Sequence, residues 1–94
     1  MKTVKVNGKK RNHKVFMYAI STCVWCKRTK QFLKDNNVEF EYVDVDLASD
    51  EDHEKIEEDI TNRRGELVYP TLIIDNKTLI TGYKPDKLSE ALGL

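Results

Sequence analysis

Val15-Phe16-Met17-Tyr18-Ala19-Ile20 is an unbroken apolar run, and it constrains the fold more than any other stretch of this chain. A strand with no polar face is buried on both sides, as in a parallel sheet covered by helices. Ser21 and Thr22 follow as helix-starting residues, with Thr22 the expected N-cap. Next comes Cys23-Val24-Trp25-Cys26, which holds the only two cysteines of the 94 residues. A C-x-x-C between a buried strand and a helix reads as a redox dithiol. At a helix start the first sulfur lies beside unpaired backbone N–H groups and the positive end of the dipole, which favour a thiolate. The second lies one turn deeper. An exposed attacking thiolate and a shielded resolving thiol are what thiol–disulfide exchange requires.

The remaining elements follow from periodicity and punctuation. Val4-Lys5-Val6-Asn7-Gly8 is a short alternating strand ending in a turn, with a hairpin onto the next strand as one option. From Val24 to about Asp35 the pattern is helical, with Cys26, Thr29, Phe32 and Leu33 on the inward stripe and Asn36-Asn37 ending it. Phe40 to Leu47 alternates as a strand. Ser49-x-x-Asp52 resembles a capping box, and the helix it opens carries a thin stripe of Ile56 and Ile60 and stops at Gly65. Thr71–Asp75 and Thr78–Thr81 form an antiparallel hairpin around Asn76-Lys77. Pro85 fits the first turn of a last helix through Leu88, Ala91 and Leu92, with Gly93 past its end. A parallel pair followed by a hairpin gives one mixed sheet with helices on its faces.

Size and charge narrow the function. A chain of 94 residues holds one domain with one core, so its activity should lie in one site. No apolar run approaches membrane-spanning length, and the N-terminus does not read as a signal peptide, so the expected location is the cytoplasm. In a reducing compartment a lone cysteine pair is catalytic or metal-binding rather than structural. A net charge of zero argues against nucleic acid as a partner. The charges are nonetheless segregated: residues 1–34 carry ten Lys or Arg and no acids, whereas 35–62 carry twelve Asp or Glu against Lys55 alone. These are either solvated faces or, for Lys27, Arg28 and Lys30, a positive rim that stabilises the Cys23 thiolate and attracts acidic proteins.

Three motifs together resemble the glutaredoxin branch of the thioredoxin fold: Cys23-Val24-Trp25-Cys26, Tyr69-Pro70-Thr71 and Gly82-Tyr83-Lys84-Pro85-Asp86. The resemblance covers about residues 14–92. It implies a mixed four-stranded sheet flanked by three helices, with residues 13–94 as the domain and 1–12 as an N-terminal extension or hairpin strand. It also implies a cis Pro70 beside the dithiol and a Tyr69 backbone that pairs with an extended substrate. Within the family, the last motif and Val24 look most like NrdH-type redoxins, which donate electrons to ribonucleotide reductase and are reduced by thioredoxin reductase. Glutathione users tend to carry a Gly-Gly element and a basic residue three before the first cysteine, where this chain has Ile20.

The expected function is therefore a monomeric protein-disulfide reductase needing no cofactor or metal. Cys23 and Cys26 would be catalytic, with Trp25, Lys27, Tyr69, Pro70, Gly82, Tyr83 and Asp86 at the substrate. Tyr69 would either narrow the substrate groove or pack against Trp25. The alternatives are a glutathione-dependent glutaredoxin and a module bridging an iron–sulfur cluster. Four-ligand zinc fits poorly, because His13 and His53 lack paired spacing. An inert disulfide fits poorly too, because so short a loop constrains the unfolded chain little.

Overall fold

The computed structural model describes residues 1–94. In chain order the elements are β1 (Val4–Val6), β2 (Val15–Ala19), α1 (Val24–Asp35), β3 (Phe40–Asp44), a 3-10 turn (Val45–Leu47), α2 (Asp50–Asn62), β4 (Thr71–Ile74), β5 (Thr78–Thr81) and α3 (Pro85–Leu92). One five-stranded sheet runs in the order β1-β3-β2-β4-β5. β2 and β3 are parallel, with Ala19 opposite Asp44, and the other strand pairs are antiparallel. The expected mixed sheet with three helices is present, and the N-terminal extension adds the fifth strand.

β2 sits at the centre of the sheet, which accounts for its apolar run. Val15, Met17 and Ala19 face a core built with Cys26, Leu33, Leu88 and Leu92, from α1 and α3. Tyr18 turns to the opposite face, where Ile56 and Ile60 of α2 pack with Val43, Val45 and Ile73. The two isoleucines are fully buried, so a narrow stripe suffices to dock α2.

Several local expectations need correction. β1 does not form a hairpin with β2; it pairs antiparallel with β3, Val4 opposite Tyr42 and Val6 opposite Phe40. Both edges of β2 are already taken by β3 and β4, and β1 takes the otherwise free edge of β3. The crossing is close, because a Cβ on Gly8 would lie 2.6 Å from the Asn37 carbonyl oxygen and 2.6 Å from the Glu39 nitrogen.

β3 ends at Asp44 rather than Leu47, because the chain turns so that Val45 enters the α2-side core and Asp46 reaches back to Ser21. The β4–β5 turn pivots on Asp75 and Asn76, at φ 53° and 60°, one residue earlier than the spacing predicts. Asp75 is free to leave the strand because its carboxylate accepts from His13 Nδ1 at 2.7 Å and from the Lys14 N–H at 2.8 Å. At the end of α2 it is Arg64 that takes the left-handed conformation (φ 62°). Gly65 packs closely instead, since a Cβ there would come within 2.6 Å of Leu79 Cδ2 and 3.0 Å of Ile60 Cγ2, and the Leu79 side chain would have to shift.

Candidate functional site at the start of α1

The helix α1 begins on the dithiol itself. Cys23, not Thr22, is the N-cap: its backbone is extended (φ −81°, ψ 121°), and its sulfur accepts the Cys26 N–H at 3.2 Å. A thiol in that position satisfies one of the orphan donors of the first turn. Cys23 is half-buried and Cys26 fully buried, and both are free thiols. The helical spacing that set Cys26 beside Thr29 and Leu33 is observed, all three being buried.

The environments of the two sulfurs differ sharply. Burial pushes the Cys26 thiol up to about 12, and its hydrogen bond to Cys23 and the Cys23 charge act in the same direction. Two influences oppose this: the Ile20 N–H, which donates to Cys26 Sγ at 3.4 Å, and the Lys30 ammonium. At neutral pH Cys26 is thus a protonated thiol held under Cys23.

The three sequence motifs converge here. Cys23 Sγ lies 3.9 Å from the Tyr69 carbonyl oxygen, and the Tyr69–Pro70 peptide bond is cis, as the resemblance implied. The Gly82 N–H donates to the Pro70 carbonyl at 2.7 Å, and Gly82 adopts φ 85°, where a side chain would be strained. The Tyr83 ring stacks on Trp25 at a centroid distance of 6.0 Å and an interplanar angle of 24°. Asp86 lies exposed in the first turn of α3.

Not every expected residue takes its expected place. Trp25 pairs with Tyr83 rather than Tyr69, whose side chain packs instead against both core clusters, with Cys23 on one side of the sheet and Ile20 on the other among their outer members. Tyr69 is thus a packed residue, and burial raises its hydroxyl above the usual tyrosine range. Lys27 is exposed and makes no ion pair or side-chain hydrogen bond. Arg28 lies over the Trp25 ring at 5.2 Å, while Lys30 turns inward to Asp44 and the Tyr42 ring, so the three basic residues do not form one rim. His13 pairs with Asp75 and His53 with Glu57, well away from the cysteines in the chain.

Sequence reasoning missed several supports of the site. Ser21 is fixed by Asp46, which accepts from the Ser21 N–H at 2.9 Å and from its hydroxyl. Those bonds hold the Asp46 carboxyl below the ordinary aspartate range. The contact depends on the turn after β3 and had no sequence signal. Arg28 did have one, being three residues after Trp25 on a helix.

Comparison with known proteins agrees with this geometry. The glutaredoxin family model matches residues 15–79. A glutaredoxin-like 8.6 kDa protein from the rubredoxin operon of Clostridium pasteurianum is 34% identical over 76 residues, 79% of this chain and 95% of that protein. The crystal structure of the glutaredoxin from Methanosarcina mazei superposes with a TM-score of 0.87 at 38% identity, covering 100% of this chain and 90% of the other. The methanoredoxin of Methanosarcina acetivorans gives a TM-score of 0.80 at 41% identity, covering 86% and 85%. With the dithiol at the helix cap, the cis-proline beside it and a match spanning the central sheet, the chain belongs to the glutaredoxin family of the thioredoxin fold and is a thiol–disulfide oxidoreductase.

Proposed function

We propose that the chain reduces disulfides in protein substrates, with Cys23 as nucleophile and Cys26 as resolving thiol. The observation that carries this division is the contrast between a half-buried Cys23 sulfur receiving a backbone N–H and a fully buried Cys26 pushed up to about 12. Cys23 attacks one substrate sulfur and releases the other as a thiol. Cys26 then attacks Cys23 Sγ, the substrate leaves reduced, and a Cys23–Cys26 disulfide remains for an external reductant.

A protein substrate is favoured by the rim of the site. Val24, Trp25, Leu67 and Val68 are exposed apolar side chains next to the cysteines and just before Tyr69-Pro70. Trp25, Tyr69, Pro70, Gly82 and Tyr83 would form the walls on which an extended segment lies, and Lys27 and Asp86 the charged margin.

The reductant proposed is a thioredoxin reductase, as for NrdH-type redoxins, with ribonucleotide reductase as a class of target and no bound cofactor required. Support comes from the Gly82–Asp86 motif and from Ile20, which stands where a basic residue would meet glutathione. The oxidised protein should regain its thiols rapidly from a thioredoxin reductase and slowly from reduced glutathione, as followed by Trp25 fluorescence. Rapid reduction by glutathione alone would overturn the choice of donor while leaving the roles of the two cysteines intact.

A further inference from the structure

Lys30 behaves unlike the other lysines of α1. It lies four residues after Cys26, on the same face of the helix, and its side chain is only 17% exposed. Its ammonium reaches 3.6 Å from Asp44 Oδ1 and 3.8 Å from the centre of the Tyr42 ring. Asp44 Oδ1 is buried and has no hydrogen-bond partner, so the contact is held by charge and the ammonium is not locked to the carboxylate.

The location of this pair matters. Asp44 is the register partner of Ala19, and the next residue, Ile20, donates its N–H to Cys26 Sγ. Tyr42, Ala19 and Cys26 belong to one core cluster, so Lys30 lies in the same layer as the resolving sulfur. The titratable groups gathered there are Cys23 at the helix cap, Tyr42 and Asp44 on β3, Asp46 just beyond it and Tyr69 before β4; α3 contributes Leu88 and Leu92. Lys30 is the one cation among them, since Lys27 is exposed without a partner and Arg28 covers Trp25.

Resting on the proposed roles of the two cysteines, we infer that Lys30, held between Asp44 and Tyr42, supplies the positive charge against which Cys26 becomes a thiolate as it resolves the mixed disulfide. Asp44 is a positioning residue. In this step the Cys26 Sγ–Cys23 Sγ bond forms and the bond from Cys23 Sγ to the substrate sulfur breaks. The electron pair leaves with the substrate sulfur, which takes up the proton that Cys26 gave up. The enzyme pair is oxidised, and the substrate sulfur of the mixed disulfide is reduced to a thiol.

Neutralising Lys30 removes one of the two influences that hold the Cys26 thiol down. Loss of a unit positive charge nearby corresponds to about one pH unit. That means about tenfold less thiolate, partly offset by its higher nucleophilicity, and so a resolving step about threefold slower at neutral pH.

The test is stopped-flow reaction of the reduced protein with one equivalent of dithiobis(nitrobenzoate), in which buffer takes the proton from Cys26. The first release of coloured thiol reads attack by Cys23 and the second reads resolution by Cys26. Lys30→Met should slow the second phase about threefold and move its alkaline rise about one pH unit upward, leaving the first phase unchanged, and Lys30→Arg should restore both values. Should Lys30→Met fail to fold because Asp44 loses its partner, Lys30→Met/Asp44→Asn should shift the second phase in the same direction by a smaller amount, since the opposing Asp44 charge is removed with it. A second phase that keeps its wild-type rate and pH profile in a folded variant overturns the role of Lys30. Wild-type protein that releases only one equivalent, or Cys26→Ser that still releases two, would instead refute the underlying cysteine assignment.

Discussion

Burial of Cys26 makes a prediction about stability that needs no substrate. The folded thiol is raised to about 12, whereas an unfolded cysteine titrates near 9.0. A raised folded value means that the folded state binds the proton more tightly. The resulting stabilisation is complete below the unfolded value and is lost as pH rises through the interval toward the folded one. At about pH 10 the unfolded thiol is mostly ionised and the folded one still neutral, so reduced wild-type protein should lose about 1.4 kcal/mol relative to about pH 7 through this group alone. For a domain of this size that is a fall in Tm of about 8 °C. Lysines and tyrosines titrate in the same range, so the comparison is with Cys26→Ala, in which they are retained. Denaturant melts of both proteins, kept reduced, at about pH 7 and about pH 10 should show the wild type losing about 1.4 kcal/mol more than the variant. Equal losses would show that burial does not hold Cys26 neutral, and the asymmetry of the dithiol would need another source.

Other perturbations have defined outcomes. Tyr18 donates to Asp59 at 2.6 Å, and Asp59 accepts from Arg63 at 3.0 Å, whose guanidinium grips Asn76 in the β4–β5 turn. Asp59 is partly exposed and can rehydrate, so Tyr18→Phe should cost about 1.5 kcal/mol in a denaturant melt, without altering disulfide exchange. Asp46 and Asp75 are both held below the ordinary carboxylate range, Asp46 chiefly by Ser21 and Asp75 chiefly by His13. A depressed folded value gives stability that is present above the unfolded value and lost as pH falls through the folded one. Asp46→Asn/Asp75→Asn should therefore show a flatter acid limb below about pH 4 in a pH series of melts. Tyr83→Ala removes a stack worth about 0.5–1.5 kcal/mol and should shift the emission of Trp25. It should slow exchange with a protein disulfide more than with a small aryl disulfide.

The layering of the fold was legible because single residues report it. The run from Val15 to Ile20 could only be central, and helical spacing placed Cys26 inward with Thr29 and Leu33. What sequence could not show were choices made by distant partners. Val4–Val6 reads as a strand, but whether it pairs with β2 or β3 depends on which edges the later strands occupy. The stack of Trp25 on Tyr83 joins residues in different elements, and nothing in the identity of Trp25 selects Tyr83 over Tyr69. The same limit explains the lysines: Lys27 is nearer Cys23 in sequence, but Asp44 on β3 gives the inward Lys30 its anchor. Cysteine is outside the usual set of N-cap residues, so the pattern pointed to Thr22 when the cap was the nucleophile itself.

The account rests on the two sulfurs being unequal in one molecule. Reduced wild-type protein treated briefly with iodoacetamide at neutral pH, then unfolded and counter-labelled, reports each thiol separately by peptide mass. Cys23 should carry nearly all of the first label, with Cys26 protected until unfolding. Labelling of Cys26 as fast as Cys23, or faster, would contradict the assignment of attacker and resolver.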